Sequence, residues 1–195
     1  MSSLSPKKKP LLPRRYAYLD DFQKTVTGEY IYTGDLFKMA GDKPMRKVIG
    51  GFVPFSAIVF VIIFVCGCFR VSGMSSCAYV LLPYCASIIT SGVALSAILR
   101  LTFAEVPVRN YVFKPTVPRF KTCILLSAIF CCITFLGDIL YIIIHGFSGY
   151  VLGTVIFLAT HVIAILLLYF CRRKFMLIKW NRLDPDTGEE TPVIE

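Results

Sequence analysis

Four long apolar blocks, separated by polar segments, dominate the pattern of this chain. They cover residues 48–69, 78–99, 122–144 and 150–171. A helix needs about 20 apolar residues to cross the hydrocarbon core of a bilayer, and each block meets that length. The third block holds one charged residue and the others hold none, so none shows the polar stripe of a helix in a soluble bundle. The pattern predicts an all-α membrane protein built as a four-transmembrane-helix bundle.

The connections between the blocks predict two tandem helical hairpins. Short segments follow the first and third blocks, whereas residues 100–121 form a longer middle loop. Residues 110–116 (NYVFKPT) resemble residues 29–34 (EYIYTG), because each has an aromatic, a β-branched and an aromatic residue before a breaker. If the similarity is not chance, the chain consists of two parallel repeats. The two segments would then be extended and pair as a small antiparallel ribbon.

Lys and Arg residues are distributed unequally around the predicted helices. Of 21 in the chain, ten precede residue 48, five lie in 100–121 and five follow residue 171, while Arg70 alone lies in the first short connection. The positive-inside rule places the middle loop and both termini in the cytoplasm. This asymmetry predicts an integral membrane protein, located in the plasma membrane, with its N-terminus and C-terminus cytoplasmic.

The segments outside the helices differ in composition. Residues 1–19 contain three prolines and five cations, which predicts a disordered basic cytoplasmic arm. Residues 20–47 are rich in Thr, Tyr and β-branched residues, which predicts a small cytoplasmic extended or β element and an interfacial segment. Residues 48–171 form the transmembrane domain, with residues 100–121 as its cytoplasmic loop, and residues 172–195 form a cytoplasmic tail.

The basic segments have an expected partner in the bilayer itself. Near an anionic inner leaflet each Lys or Arg contributes about 1 kcal/mol to membrane binding. No base-stacking motif or recognition helix accompanies the positive charge, so the sequence argues against nucleic acid as a partner.

Several polar side chains are predicted to meet in the outer half of the bundle. Ionisable groups inside membrane helices are costly and mark candidate functional sites. At 1.5 Å per residue, Asp138 lies roughly 7 Å outside the midplane. The predicted cluster consists of Asp138, Tyr141, His145, His161, Tyr84, Thr154 and Arg70.

Two interpretations of this cluster remain open. In the first, Asp138 is an internal clasp, hydrogen-bonded to Tyr84 or Thr154 or paired with Arg70. In the second, a proton passes between the outer surface and His161 by way of Asp138. The first interpretation predicts a structural role and the second predicts a transport role.

The eight cysteines and two histidines give little indication of a redox or metal site. A Cys68–Cys77 disulfide is a candidate staple of the first connection in an oxidising exterior. The sequence lacks a Cys-x-x-Cys pair, and its two histidines are not at ligand spacing. No metal or other cofactor is predicted.

The absence of catalytic motifs favours a non-catalytic function. The second helix carries a small-residue stripe, which is typical of close helix packing: Ala86, Thr90 and Ala94, with Ser87 and Ser91 beside them and Gly92 and Ser96 after them. The leading prediction is a small membrane subunit or interaction module, with other membrane subunits or a homo-oligomer as partners. The alternative is a small-solute or proton-coupled transporter using Asp138 and His161, and a third is a lipid-modifying membrane enzyme.

Overall fold

The structure, a computed structural model, is mostly helical. It describes residues 21–24, 28–42, 44–69, 71, 73–74, 77–147, 151–183 and 190–192. Its helices are α1 (Met45–Gly50), α2 (Phe52–Cys66), α3 (Ala78–Thr102), α4 (Asn110–His145) and α5 (Val151–Met176). Its strands are β1 (Phe22–Lys24), β2 (Tyr30–Tyr32), β3 (Leu36–Met39), β4 (Val108–Arg109), β5 (Trp180–Leu183) and β6 (Glu190–Pro192).

Four helical spans are long and apolar enough to cross a membrane. The first combines α1 and α2 over 22 residues, and the others are α3, α4 and α5 with 25, 36 and 26 residues. The sequence prediction of four long apolar helices is therefore confirmed. The predicted basic arm at residues 1–19 and Arg70 lie outside the described residues.

A small antiparallel sheet joins three distant segments of the chain. Its strand order is β4-β3-β5-β6. Phe37 of β3 pairs with Val108 of β4, and Met39 of β3 pairs with Trp180 of β5. We call the end of the helices that carries this sheet the sheet end. The opposite end, where α2 leads to α3 and α4 leads to α5, is the loop end.

The start of α4 differs from the prediction. Residues 110–116 were expected to be extended, but α4 begins at Asn110. The buried side chains Phe113, Val117 and Phe120 recur at helical spacing, so burial of one helix face outweighs the strand-like composition and the prolines of this segment. The predicted ribbon between residues 29–34 and 110–116 is wrong, since the pairing joins β3 to β4 instead.

A separate hairpin precedes the sheet. β1 pairs with β2, with Phe22 opposite Tyr32. Gly28, in the connection between the two strands, has a φ of +90°, which a residue with a side chain rarely adopts. Residues 25–27 of this connection lie outside the described part of the chain.

An aromatic core attaches the sheet to the helices. The rings of Phe37 and Phe113 stack with centroids 4.0 Å apart, and Trp180 meets Phe113 edge-on at 5.0 Å. All three side chains are buried. The sheet is therefore packed onto the start of α4 and not only connected to it by the chain.

Small residues bring α3 close to its neighbours. The buried positions on α3 include Ser87, Ser91 and Ala94, whereas Ala86 and Thr90 of the predicted stripe are only half-buried. On α4, a Cβ added to Gly137 would lie 3.2 Å from the Tyr79 carbonyl oxygen. The predicted small-residue packing therefore uses the Ser87, Ser91 and Ala94 side of the stripe.

Candidate functional site

Asp138 is an acidic side chain buried inside the helical bundle. It lies on α4 with 0% of its surface exposed, on the same buried face as Thr134 and Tyr141. Neither carboxyl oxygen forms a hydrogen bond with a described residue. A buried polar group without a partner is costly, and an ionised one is far more so. The site therefore suits the protonated acid, or a cation not contributed by the described residues.

The connection between α2 and α3 covers this carboxyl group at the loop end. A Cβ added to Gly73 would lie 2.8 Å from Asp138 Oδ1 and 3.2 Å from Tyr141 Cγ. Gly73 is itself buried. A side chain at position 73 would require the Asp138 carboxyl group to shift, so the connection packs directly against the loop-end side of the site.

His161 forms a second polar position in the bundle. It lies on α5, fully buried, and its Nδ1 is 2.9 Å from the Phe157 carbonyl oxygen. Because a carbonyl oxygen only accepts, Nδ1 must carry the proton of this hydrogen bond. Nε2 has no partner among the described residues. The ring packs on Phe157 with centroids 4.2 Å apart.

Tyr84 connects α3 to α2 and not to Asp138. Its hydroxyl group donates to the Ile63 carbonyl oxygen at 3.0 Å. A Cβ added to Gly67 would overlap this hydroxyl group, so a side chain at position 67 would displace Tyr84 from its bond to Ile63. The Tyr84 ring also lies 6.2 Å from the His161 ring, centroid to centroid. Tyr84 therefore lies next to His161 in the bundle.

The predicted cluster is divided into two groups in the structure. Asp138, Tyr141 and His145 share one face of α4, and the last two rings stack with centroids 4.6 Å apart. His145 is exposed at the loop end. Thr154 is buried on α5 and has an interaction partner. An Asp138–Arg70 ion pair remains a prediction, since Arg70 is outside the described residues.

The cysteines are all free thiols. Cys68 and Cys77 are not bonded to each other, so the predicted disulfide is absent from the structure. The Cys68 thiol instead points back along α2, with Sγ 3.8 Å from the Phe64 carbonyl oxygen. Within the described ranges, no three His, Cys, Asp or Glu side chains are grouped to hold a metal ion.

Two glycines are site residues that sequence reasoning missed. Gly67 and Gly73 each lie in the first short connection, and each allows a close approach to a polar side chain of another helix. Isolated glycines in a short connection between two apolar helices were the available signal. It does not say which side chain approaches, so neither contact was predictable.

Comparison with known proteins gives no assignment. No protein-family model, no curated protein and no solved structure matches this chain. Its function is therefore argued from the geometry of the chain itself.

Proposed function

We propose that the protein spans a bilayer four times and has its sheet end in the cytoplasm. The segments before α1, between α3 and α4, and after α5 contribute strands to one sheet, so they lie on one side of the helices. Four spans with these three segments on one side form two successive hairpins. Because 20 of the 21 Lys and Arg residues lie before residue 48, in residues 100–121 or after residue 171, the positive-inside rule supports this orientation.

The outward faces of the helices support insertion into lipid. Large apolar side chains are exposed on each of the four spans, for example Val61, Leu82, Ile143 and Leu152. A soluble monomer rarely exposes apolar surface over its whole helical part. Contact with lipid tails gives these side chains an apolar environment.

Within the membrane, we propose that the protein is a small non-catalytic subunit or interaction module. The observation that carries this proposal is the packed sheet at the sheet end. It is assembled from three segments and held by Phe37, Phe113 and Trp180. Such a unit presents a fixed surface next to the membrane, with β4 and β6 as its edge strands. Other membrane subunits or a second copy of the chain are the proposed partners.

Native mass measurement of the full chain in lipid nanodiscs tests this role. We expect a complex larger than one chain and its weakening in Phe113→Ala, which removes the ring between the sheet and α4. Phe170→Ala is the matched control, because Phe170 is exposed on α5. A strictly monomeric chain with no co-purifying protein would contradict the proposal.

A second candidate function is proton-coupled transport of a small solute. It is favoured by the fully buried Asp138 carboxyl group, for which the described residues provide no hydrogen bond. His161, with its unpartnered Nε2, is the other proposed participant. Proton uptake into liposomes containing the protein tests this candidate. Asp138→Asn should abolish uptake while the chain remains folded, whereas uptake equal to that of the wild type would exclude the role.

A further inference from the structure

A basic groove lies at the sheet end, beside the last turn of α3. Its volume is about 480 Å³, and its lining includes Arg100, Phe103, Glu105, Arg109 and Tyr111. We call it the arginine groove. At 1.5 Å per residue, the 25 residues of α3 extend about 37 Å, which exceeds the roughly 30 Å hydrocarbon core. In the proposed membrane arrangement, the groove therefore lies at the depth of lipid head groups.

Positive charge prevails in the arginine groove. Arg100 and Arg109 line it, and Glu105 is the one carboxylate among its lining residues. A third guanidinium group lies at the rim, where Arg46 is 5.8 Å from the centroid of the Phe103 ring. An anion in the groove would be attracted by all three arginines.

Glu105 does not neutralise Arg109 effectively. The two side chains are 3.5 Å apart between Arg109 Nη2 and Glu105 Oε2, and Glu105 is 86% exposed. A strong charge-assisted hydrogen bond is shorter, at about 2.7–2.9 Å, and an exposed ion pair contributes little. Arg109 can therefore exchange this contact for a two-point interaction with a phosphate group.

The position of Arg109 is fixed by the hairpin and the sheet. Arg109 pairs with Leu36 in the sheet, and its guanidinium group lies over the Tyr32 ring, 5.6 Å from the centroid. The Tyr32 hydroxyl group donates to the Asp35 carbonyl oxygen at 3.1 Å and accepts from the Asn110 backbone N–H at 3.0 Å. Burial raises the pKa of Tyr32 above its ordinary value, so the hydroxyl group keeps its proton at neutral pH.

Apolar surface adjoins the charged part of the groove. Phe103 lines it and is 71% exposed, and Val106 beside it is also exposed. A small soluble phosphate compound makes no use of such surface. A phospholipid does, because its glycerol and acyl chains lie directly next to the phosphate group.

We propose that the arginine groove binds the phosphate group of an anionic phospholipid. Arg100 and Arg109 bind the phosphate oxygens, and Phe103 contacts the glycerol and upper acyl region. The planar guanidinium fork matches phosphate geometry, so two arginines favour this ligand over an uncharged one. This proposal rests on the proposed membrane insertion and is independent of the proposed assembly role.

The test measures thermal stability of the full chain in detergent during titration with three probes. They are short-chain phosphatidylglycerol, short-chain phosphatidylcholine and inorganic phosphate. We expect phosphatidylglycerol to stabilise the wild type most strongly. In Arg100→Gln/Arg109→Gln, its apparent affinity should fall about tenfold or more, because charged hydrogen bonds to the phosphate are lost. Arg100→Lys/Arg109→Lys should be intermediate, since it keeps charge but loses the fork.

The matched control is Lys47→Gln/Arg173→Gln. It removes the same charge from two exposed residues at the sheet end that do not line the arginine groove. The control should retain wild-type affinity, and an equal loss would show attraction to surface charge and overturn the site. An equal response to inorganic phosphate would overturn the lipid assignment. Because native mass is measured separately, loss of the lipid site leaves the assembly proposal standing.

Discussion

Phe113→Ala is the sharpest test of how the sheet is held to the helices. Phe113 is 5% exposed and lies between Phe37 and Trp180, with centroid distances of 4.0 Å and 5.0 Å. Replacing a buried Phe by Ala costs about 3–5 kcal/mol, and aromatic pairs contribute about 0.5–1.5 kcal/mol of such a loss. We therefore expect the sheet to be destabilised by about 3–5 kcal/mol relative to the helices.

Trp180 provides the assay, because it is the only tryptophan in the chain. In the wild type it is 4% exposed, so its fluorescence emission should be blue-shifted. In Phe113→Ala the emission should shift to the red at a lower denaturant concentration than in the wild type. Helix content, measured by circular dichroism, should be lost later. The exposed Phe170→Ala control should change the free energy of unfolding by less than about 0.5 kcal/mol.

Two results would refute this reasoning. One is wild-type Trp180 emission throughout the titration of Phe113→Ala, which would mean that the ring does not hold the sheet. The other is an equal loss in Phe170→Ala, which would mean that any lost phenyl ring destabilises the chain regardless of its place.

Three further predictions concern single polar groups. Tyr84→Phe removes the bond to Ile63 and should cost about 0.5–1.5 kcal/mol in detergent unfolding, so an unchanged midpoint would contradict that bond. Asp138→Asn should change stability by less than about 1 kcal/mol, since no described residue donates to the carboxyl group, whereas a loss of about 3–5 kcal/mol would reveal a charged partner. Tyr32 has a raised pKa, so its stabilising contribution is complete below its unfolded pKa and is lost as pH rises through the folded value. When the pH is raised and unfolding is monitored by Trp180 emission, the wild type should therefore show a transition at high pH that is absent from Tyr32→Phe.

The helices were predictable because one physical rule decides them. A run of about 20 apolar residues without charge has few stable alternatives to a long buried or lipid-exposed helix. The end of a helix is less constrained. Pro115 and the alternating aromatic residues before it indicated an extended segment, yet the buried face of Phe113, Val117 and Phe120 extends α4 back to Asn110.

The presence of β structure was predictable, but the pairing of its strands was not. Strand-like composition between residues 20 and 47 indicated β structure, and the structure has a small antiparallel sheet there. The pairing of β3 with β5 joins residues more than a hundred positions apart, such as Met39 and Trp180. Composition carries no information about such a partner.

The polar cluster shows that depth along a helix is not sufficient to predict which side chains meet. Asp138 and Tyr84 were expected to meet in the outer half of the bundle, but depth along a helix does not specify rotation about its axis. Tyr84 turns towards α2 and bonds to Ile63, while Asp138 faces Gly73 of the first connection. Rotation is decided by packing between helices, which a single sequence does not reveal.

Cysteine labelling in intact cells tests the proposed orientation most directly. In a chain whose eight cysteines are replaced by alanine, single cysteines are introduced as Phe147→Cys at the loop end and as Lys114→Cys or Lys179→Cys at the sheet end. A membrane-impermeant maleimide should label position 147 from outside and positions 114 and 179 only after permeabilisation. Labelling of positions 147 and 114 from the same side of an intact membrane would contradict the four-span arrangement.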